Sequence, residues 1–344
     1  MRERRNAPVR AAWALVGLAA LGLAGCPSQP PEGPDPTLVA DPASDDGGMP
    51  GAGLADFDRG VEFIKRQAYA EAVTHFDKVL EADPRHAQAE YYRALAREQL
   101  GERDGAIAGY EKALALDEGL VDAAINLGAM YLVEDPEHGV VPQPDKAIAV
   151  LKKAAAKVDD DPGVYENLGF AYRLAKSFDQ ATKEYLKAIK LADEGRTRFA
   201  LGDMLVEAKR CEEAAKHLGK AAKAMGDDFP TLVTIADLLG QCRAFAPCVE
   251  TLDAAIKLKP SEPQWYVRRG LCRHGLKDEK NARADFQLAL KKDPKFAAAH
   301  YYLGQSWRAE KKSFNARKAF EEAAKLDPNG PIGKKAKQAL KAMK

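Results

Sequence analysis

A spacing of 34 residues governs this chain from residue 53 onward. Pro260, Pro294 and Pro328 stand at that interval, and Pro84 falls in the same frame. Small and aromatic residues recur between them at fixed offsets, as in Gly270, Ala282, Phe286 and Ala289, and again in Gly304, Ala316, Phe320 and Ala323. A repeated segment of this length is one supersecondary unit that cannot bury its apolar face alone, so it must stack on copies of itself. The prolines end helices, because proline lacks a backbone donor and clashes with the preceding turn. Small residues on a helix face let a second helix approach closely.

Eight units follow from this frame: 53–86, 87–120, 121–161, 162–194, 195–228, 229–262, 263–296 and 297–330. The pattern resembles the tetratricopeptide-repeat (TPR) family, which favours Gly or Ala at position 8, Ala at 20, an aromatic at 24, Ala at 27 and Pro at 32. The resemblance implies an all-α solenoid, a right-handed superhelix of about eight helix-turn-helix repeats. Residues 331–344 carry Ile332, Ala336, Ala339, Leu340 and Met343 at helical spacing and are expected to form a capping helix with a lysine-rich outer face. Unit five is the weakest match, with Gly226 where proline is expected. Unit three holds extra residues at 133–145, including Pro136, Pro142 and Pro144, which read as a surface insertion or a partner-contact loop.

In this family the first helices line a concave surface, chiefly through positions 2, 5, 9, 12 and 13. Here they supply Phe57, Val61, Ile64, Tyr91, Leu95, Ile125 and Leu132, then Phe170, Arg173, Phe199 and Val206, and finally Val233, Asp237, Val267, Leu271, Tyr301 and Arg308. That is an apolar groove with scattered charges, the character of a protein-binding surface. One TPR subclass grips C-terminal carboxylates with Lys at position 5 and Asn at 6 and 9. Asn126 and Asn167 occupy position 6, but Ile125 and Glu166 occupy position 5, so that clamp is absent. Arg93 with Arg97, and Arg269 with Arg273, fall at positions 7 and 11. Their stems are expected to pack and their heads to reach water or an acid on the next helix.

Four cysteines lie in the repeats: Cys211, Cys242, Cys248 and Cys272. In the frame the resemblance implies, Cys211 starts a second helix while Cys242 ends the neighbouring first helix. Cys248 and Cys272 stand in the same relation one repeat later. This points to disulfides Cys211–Cys242 and Cys248–Cys272, with four buried thiols as the alternative. A zinc site from Cys242, Cys248, Cys272 and His274 would match no recognised ligand spacing.

The amino terminus has a different character. Residues 1–10 are basic and 11–25 are apolar and small. Fifteen helical residues rise about 22 Å, short of the roughly 30 Å of a hydrocarbon core, so 1–25 reads as a secretory signal. It ends in Leu23-Ala24-Gly25-Cys26, which resembles the lipobox of bacterial lipoproteins and implies that Cys26 carries lipid. Two or more acyl chains hold a protein stably where one does not. Pro27 after the cysteine, rather than Asp, favours the outer membrane. Residues 26–52 follow as a Pro-rich, acidic linker with Glu32, Asp35, Asp41, Asp45 and Asp46 and no base. Such a segment cannot bury a core and, at roughly 3.1 Å per residue, would reach about 80 Å.

The 52 basic and 51 acidic residues leave a net charge of +1, so no global field draws the chain to nucleic acid. His75, His86, His138, His217, His274 and His300 do not pair at metal-ligand spacing. There is no phosphate-binding glycine loop and no nucleophile elbow. The expectation is therefore a lipid-tethered, non-catalytic adaptor without a cofactor. Its partners would be periplasmic or outer-membrane proteins, and its roles would include assembly of pilus, secretion or motility machinery. The overall plan is similar to that of pilotins, though eight units with a long acidic spacer depart from that subgroup. The alternative reading is a periplasmic redox or metal-binding protein using the four cysteines.

Overall fold

The computed structural model describes residues 51–343. Among the described residues there are seventeen α-helices and no strand. The chain divides into two compact units, one ending at Ala192 and the other starting at Asp193. The first unit contains α1 (Gly51–Lys65), α2 (Tyr69–Ala82), α3 (Ala87–Gln99), α4 (Arg103–Leu116), α5 (Val121–Leu132), α6 (Pro144–Lys157), α7 (Pro162–Leu174) and α8 (Phe178–Leu191). The second contains α9 (Gly195–Glu207), α10 (Cys211–Ala224), α11 (Phe229–Gln241), α12 (Phe245–Leu258), α13 (Pro263–Gly275), α14 (Glu279–Lys292), α15 (Ala297–Ala309), α16 (Ser313–Leu326) and α17 (Pro331–Lys341). The signal at 1–25 and Cys26 lie outside the described residues, as does the linker 26–52 except for its last two positions, which begin α1.

Odd- and even-numbered helices pair into hairpins, α1 with α2 through α15 with α16, and α17 packs on α16 and α15. Six of the eight hairpins close on a contact between a glycine of the first helix and a large side chain of the second. A Cβ added at Gly60, Gly169, Gly270 or Gly304 would fall 2.7, 2.8, 2.5 and 2.7 Å from ring carbons of Phe76, Tyr185, Phe286 and Phe320. Leu151 and Leu218 fill the same seat against Gly128 and Gly202. The large partners, Phe76, Tyr110, Leu151, Tyr185, Leu218, Leu252, Phe286 and Phe320, are all buried. The α3–α4 hairpin exchanges the roles: Ala94 replaces glycine on the first helix, and Gly109 on the second takes up its methyl, since a Cβ there would lie 2.8 Å from that of Ala94.

Every hairpin except α5–α6 ends its first helix on one left-handed residue. Gln67 and Lys176 in the first unit, and Lys209, Arg243, Lys277 and Lys311 in the second, have φ between 54° and 63°, while Gly101 has φ 79°. Seven such corners end first helices with the same paired backbone bonds. Gln67 N–H donates to the Ile64 carbonyl and Ala68 N–H to the Phe63 carbonyl, both at 2.9 Å, and the set recurs at Lys277 and Asp278. This is the Schellman arrangement, which satisfies helix-end carbonyls. A left-handed non-glycine residue costs about 1–2 kcal/mol, so the two recovered hydrogen bonds and the docked hairpin hold it in place.

The α5–α6 connection differs because of its added residues. Pro136–His138 forms a 3-10 turn capped by the Asp135 carboxylate, Asp135 and Val140 make an isolated antiparallel bridge, and Gly139 takes the left-handed conformation at φ 71°. Gln143 N–H returns to the Tyr131 carbonyl at 2.6 Å. The insertion is thus a folded turn, with Val141 two-thirds exposed on it.

The glycine seats give a direct test. Gly270→Ala forces its methyl into the Phe286 ring and is expected to cost about 1–3 kcal/mol, measured by urea denaturation. Adding Phe286→Leu should recover part of that loss.

Candidate protein-interaction site

Within each unit, first helices of neighbouring repeats touch: α1 with α3, α5 with α7, α9 with α11 and α13 with α15. That side-by-side contact sorts the residues expected to line the groove. Phe57, Ile64, Ile125, Leu132, Phe199 and Val267 are buried and belong to the core rather than to an open surface. All six sit at positions 5 or 12, the flanks turned toward adjoining helices. Phe57 shows the cause: its ring is wedged among Phe76, His86 and Tyr92, with centroids 5.2–5.8 Å away.

Val61, Tyr91, Leu95, Phe170, Arg173, Val206, Val233, Leu271 and Tyr301 are half-buried, and Asp237 and Arg308 are exposed. Every position-9 residue named here, Val61, Leu95, Phe170, Asp237 and Leu271, therefore keeps open surface. Asp237 is ion-paired with Arg268 at 2.6 Å, and the Arg268 guanidinium lies over the Trp265 ring.

A polar cluster lies across the first helices of the first unit. Tyr110 donates its hydroxyl to Glu98 Oε2 at 2.5 Å, and Asn126 Nδ2 donates to the same Tyr110 oxygen at 3.3 Å. Tyr91 packs 6.0 Å from the Tyr110 ring. Burial raises the Glu98 carboxyl to about 7, against the opposing effects of the Tyr110 hydrogen bond and the Arg103 charge. Glu98 occupies position 12 of its repeat, so the positional rule reaches it; its polarity is why it does not read as groove lining in the sequence.

Two arginine pairs resolve into one device. Arg93 bonds Asp77 at 2.7 Å and Glu90 at 2.6 Å; Arg269 bonds Asp253 at 2.6 Å and also the Asp285 carboxylate. Arg273 joins Asp285 at 2.8 Å. Asp77 and Asp253 hold the same repeat position on the preceding second helix, so each arginine ties one repeat to the one before it. Arg269 and Arg273 find the expected acid on the next helix, Asp285 of α14, while Asp77 and Asp253 supply a further acid on the previous one. Glu90 and Asp285 are fully buried, and nothing in their local sequence distinguishes them from surface acids.

The cysteines join in two pairs. Cys211 at the start of α10 meets Cys242 just after α11, with Cα atoms 5.1 Å apart; Cys248 in α12 meets Cys272 in α13 at 6.2 Å. Both bridges lie within the second unit and link successive repeats. Among the described residues no group of three or more His, Cys, Asp or Glu side chains is placed to hold a metal ion. His274 instead pairs with Glu279 at 2.6 Å.

In the second unit, Leu271 and His274 of α13, Phe286 of α14, and Tyr301, Tyr302 and Gln305 of α15 enclose a cavity of about 180 Å³ open to the first-helix face. Leu271 and Tyr301 are foreseen by repeat position. His274 at position 12 and Gln305 at position 9 obey the same rule, which could have found them.

Helical hairpins of one design, seated on small residues and stacked through their first helices, define a tetratricopeptide-repeat fold. Sequence models described as "Tetratricopeptide repeat" match residues 57–121, 249–295 and 280–331, and a second model of that description matches 162–194, together covering just over half of the chain. The chain belongs to the tetratricopeptide-repeat family, whose members are scaffolds for protein interactions. It is 25% identical over 249 residues to the Hsp70-Hsp90 organizing protein of Triticum aestivum, covering 71% of this chain and 41% of that protein. It is 24% identical over 237 residues to Hsp70-Hsp90 organizing protein 3 of Arabidopsis thaliana, covering 67% and 41%. The chain thus spans about two fifths of the length of these curated relatives. A tetratricopeptide repeat protein from Parabacteroides merdae ATCC 43184 superposes with a TM-score of 0.50 at 14% identity, over 74% of this chain and 98% of that one, a likeness of fold.

Two outcomes follow from the buried charges. Glu98 has a folded-state value near 7, above the ordinary 4.5. Its contribution is therefore fully present below about pH 4.5 and is lost as pH rises through 7. Relative to Glu98→Gln, the wild-type protein should lose stability between pH 5 and 8, read from denaturation midpoints at each pH. Asp285→Ala, which strands Arg269 and Arg273, is expected to cost about 3–5 kcal/mol, measured by chemical denaturation at low and high salt.

Proposed function

We propose that this chain is a lipid-anchored scaffold of a bacterial cell envelope, which holds protein partners against its first-helix face. The observation that carries the anchor is Leu23-Ala24-Gly25-Cys26 at the end of a basic-then-apolar leader, followed by a Pro-rich acidic stretch. Lipid on Cys26 would tether the protein, and the stretch after it would stand the repeats off the bilayer. Pro27 supports the outer membrane as the site of attachment, with the repeats facing the periplasm. Two disulfides in the second unit accord with an oxidising compartment.

Partner binding rests on the half-open apolar residues of the first helices, chiefly Val61, Leu95, Phe170 and Leu271, and on the family's use of this face. The relatives named for organizing Hsp70 and Hsp90 support an adaptor role; assembly of an envelope machine is the corresponding role for a tethered protein. No catalytic constellation supports an enzyme. A redox role would require an exchanging disulfide, and both bridges here connect packed helices. The structural reading of the bridges is therefore favoured over chemistry at the cysteines.

The test is made in cells. Metabolic labelling with an alkyne fatty acid should mark the wild-type chain and leave Cys26→Ser unlabelled, with the variant shifting from the membrane to the soluble fraction. Equal membrane recovery and no label on either protein would remove the anchor from this reading. Site-specific crosslinks from Leu95 and Phe170, but not from the opposite faces of the same helices, should capture protein partners.

A further inference from the structure

Phe314 is a ring that the repeat does not require. It is the second residue of α16 and is 81% exposed, the most exposed of the large apolar side chains among the described residues. Every other second helix, from Ala70 in α2 to Lys280 in α14, places an alanine, an acid or a lysine there. Tyr69, Phe178 and Phe245 stand one residue earlier in their helices and are half-buried against neighbours. Phe314 is displaced by one residue from that seat and faces water.

Its surroundings carry one sign of charge. The run from Lys311 to Phe320 holds Lys311, Lys312, Arg317 and Lys318 and no acid; the run from Pro328 to Lys344 holds five lysines and no acid. Arg317 donates to the Met343 carbonyl at 3.2 Å, which brings the end of α17, with Lys341, to the start of α16. Lys311, Lys318 and Lys341 are exposed and make no ion pair among the described residues. Glu310, the acid preceding them in the chain, is already shared between Arg283 and Lys312, both at 2.9 Å. The amino end of α16 adds the positive pole of its dipole to the same spot.

We infer that this tip of the second unit is a contact point for an anionic phospholipid bilayer. Phe314 enters the headgroup region, and Lys311, Lys318 and Lys341 lie on the lipid phosphates. A ring leaving water between long cationic side chains is the composition of an interfacial contact. Cations on both sides of one ring suit a surface of many equivalent anions. The apolar face of α17 is not available for deeper insertion, since Ile332 and Leu340 pack into the core around Phe320. The contact is therefore shallow and orients the repeats against a bilayer. It goes beyond the scaffold reading and does not depend on lipid at Cys26.

The experiment places p-benzoylphenylalanine at 314 of the full chain and illuminates it with vesicles. One set mixes phosphatidylglycerol with phosphatidylcholine; the other is phosphatidylcholine alone. Mass spectrometry should find phospholipid joined to residue 314 on the mixed vesicles and about tenfold less on the neutral ones. Combining Lys311→Glu, Lys318→Glu and Lys341→Glu should lower the adduct to a similar degree, as should added salt. All three lysines are exposed, and a circular dichroism melt checks that the fold is kept. The same photoprobe at Val141 is the control. Val141 is also exposed, but its insertion carries Glu134, Asp135 and Glu137 and no lysine or arginine, so it should give no adduct. Equal adducts on the two vesicle types, equal adducts from 314 and 141, or no adduct at 314 would each overturn the inference. In cells, capture of a protein instead of lipid at 314 would overturn it too. The photoprobe reports only its own surroundings, so acylated and unacylated chains serve alike, and failure of the anchor at Cys26 is read separately.

Discussion

The seat of a large side chain on a backbone stripped of its side chain is the contact on which this protein depends. In six of the eight hairpins an aromatic or leucine from the second helix lies where the first helix presents Gly60, Gly128, Gly169, Gly202, Gly270 or Gly304. It sets the closeness of the hairpin, and through that the direction in which the first helix shows its remaining faces. Packing density leaves no slack at such a site. The α3–α4 hairpin shows that the constraint acts on the pair, not on one position. When Ala94 adds a methyl on one side, Gly109 gives one up on the other.

Once hairpins have a fixed thickness, stacking decides what remains open. First helices lie against first helices, which draws Phe57, Ile64, Ile125, Leu132, Phe199 and Val267 at positions 5 and 12 into the joints, while Val61, Leu95, Phe170, Asp237 and Leu271 at position 9 keep open surface. Phe57 and Leu95 are both large, apolar and on first helices, yet one is wedged among rings and the other is half-open. The same stacking explains the polar ties. Arg93 and Arg269 reach back to Asp77 and Asp253 on the previous second helix, which packs against their own first helix. Buried Glu90 and Asp285 complete those ties from within the repeat.

Periodicity made the hairpins legible, because a 34-residue spacing of prolines, glycines and aromatics carries its own physical cause. The pairing of Cys211 with Cys242 and Cys248 with Cys272 could be posed from the same frame, since helix ends in antiparallel neighbours share a height. The occupancy of the groove was not legible to the same depth. A rule of positions names faces, but burial depends on how far adjacent helices close on each flank, which no single repeat records. Polar members of the face were the other gap. Glu98, His274 and Gln305 sit at positions the rule includes, yet a half-buried acid looks in the sequence like any solvated one. Gln67, Lys176, Lys209, Arg243, Lys277 and Lys311 hid in the same way. Nothing about a lysine announces a left-handed backbone when hydrogen bonds on either side of it impose the conformation.

The bridges have a mechanical meaning for a stack of repeats placed under load. A load applied along the backbone passes from Cys211 to Cys242 and from Cys248 to Cys272 through sulfur instead of through helices. The stretches they close, between cysteines 31 and 24 positions apart, are taken out of the line of tension. Even if repeats at either end were to pay out under strain, this middle portion of the second unit would resist lengthening, since covalent loops do not unravel by pulling at their necks.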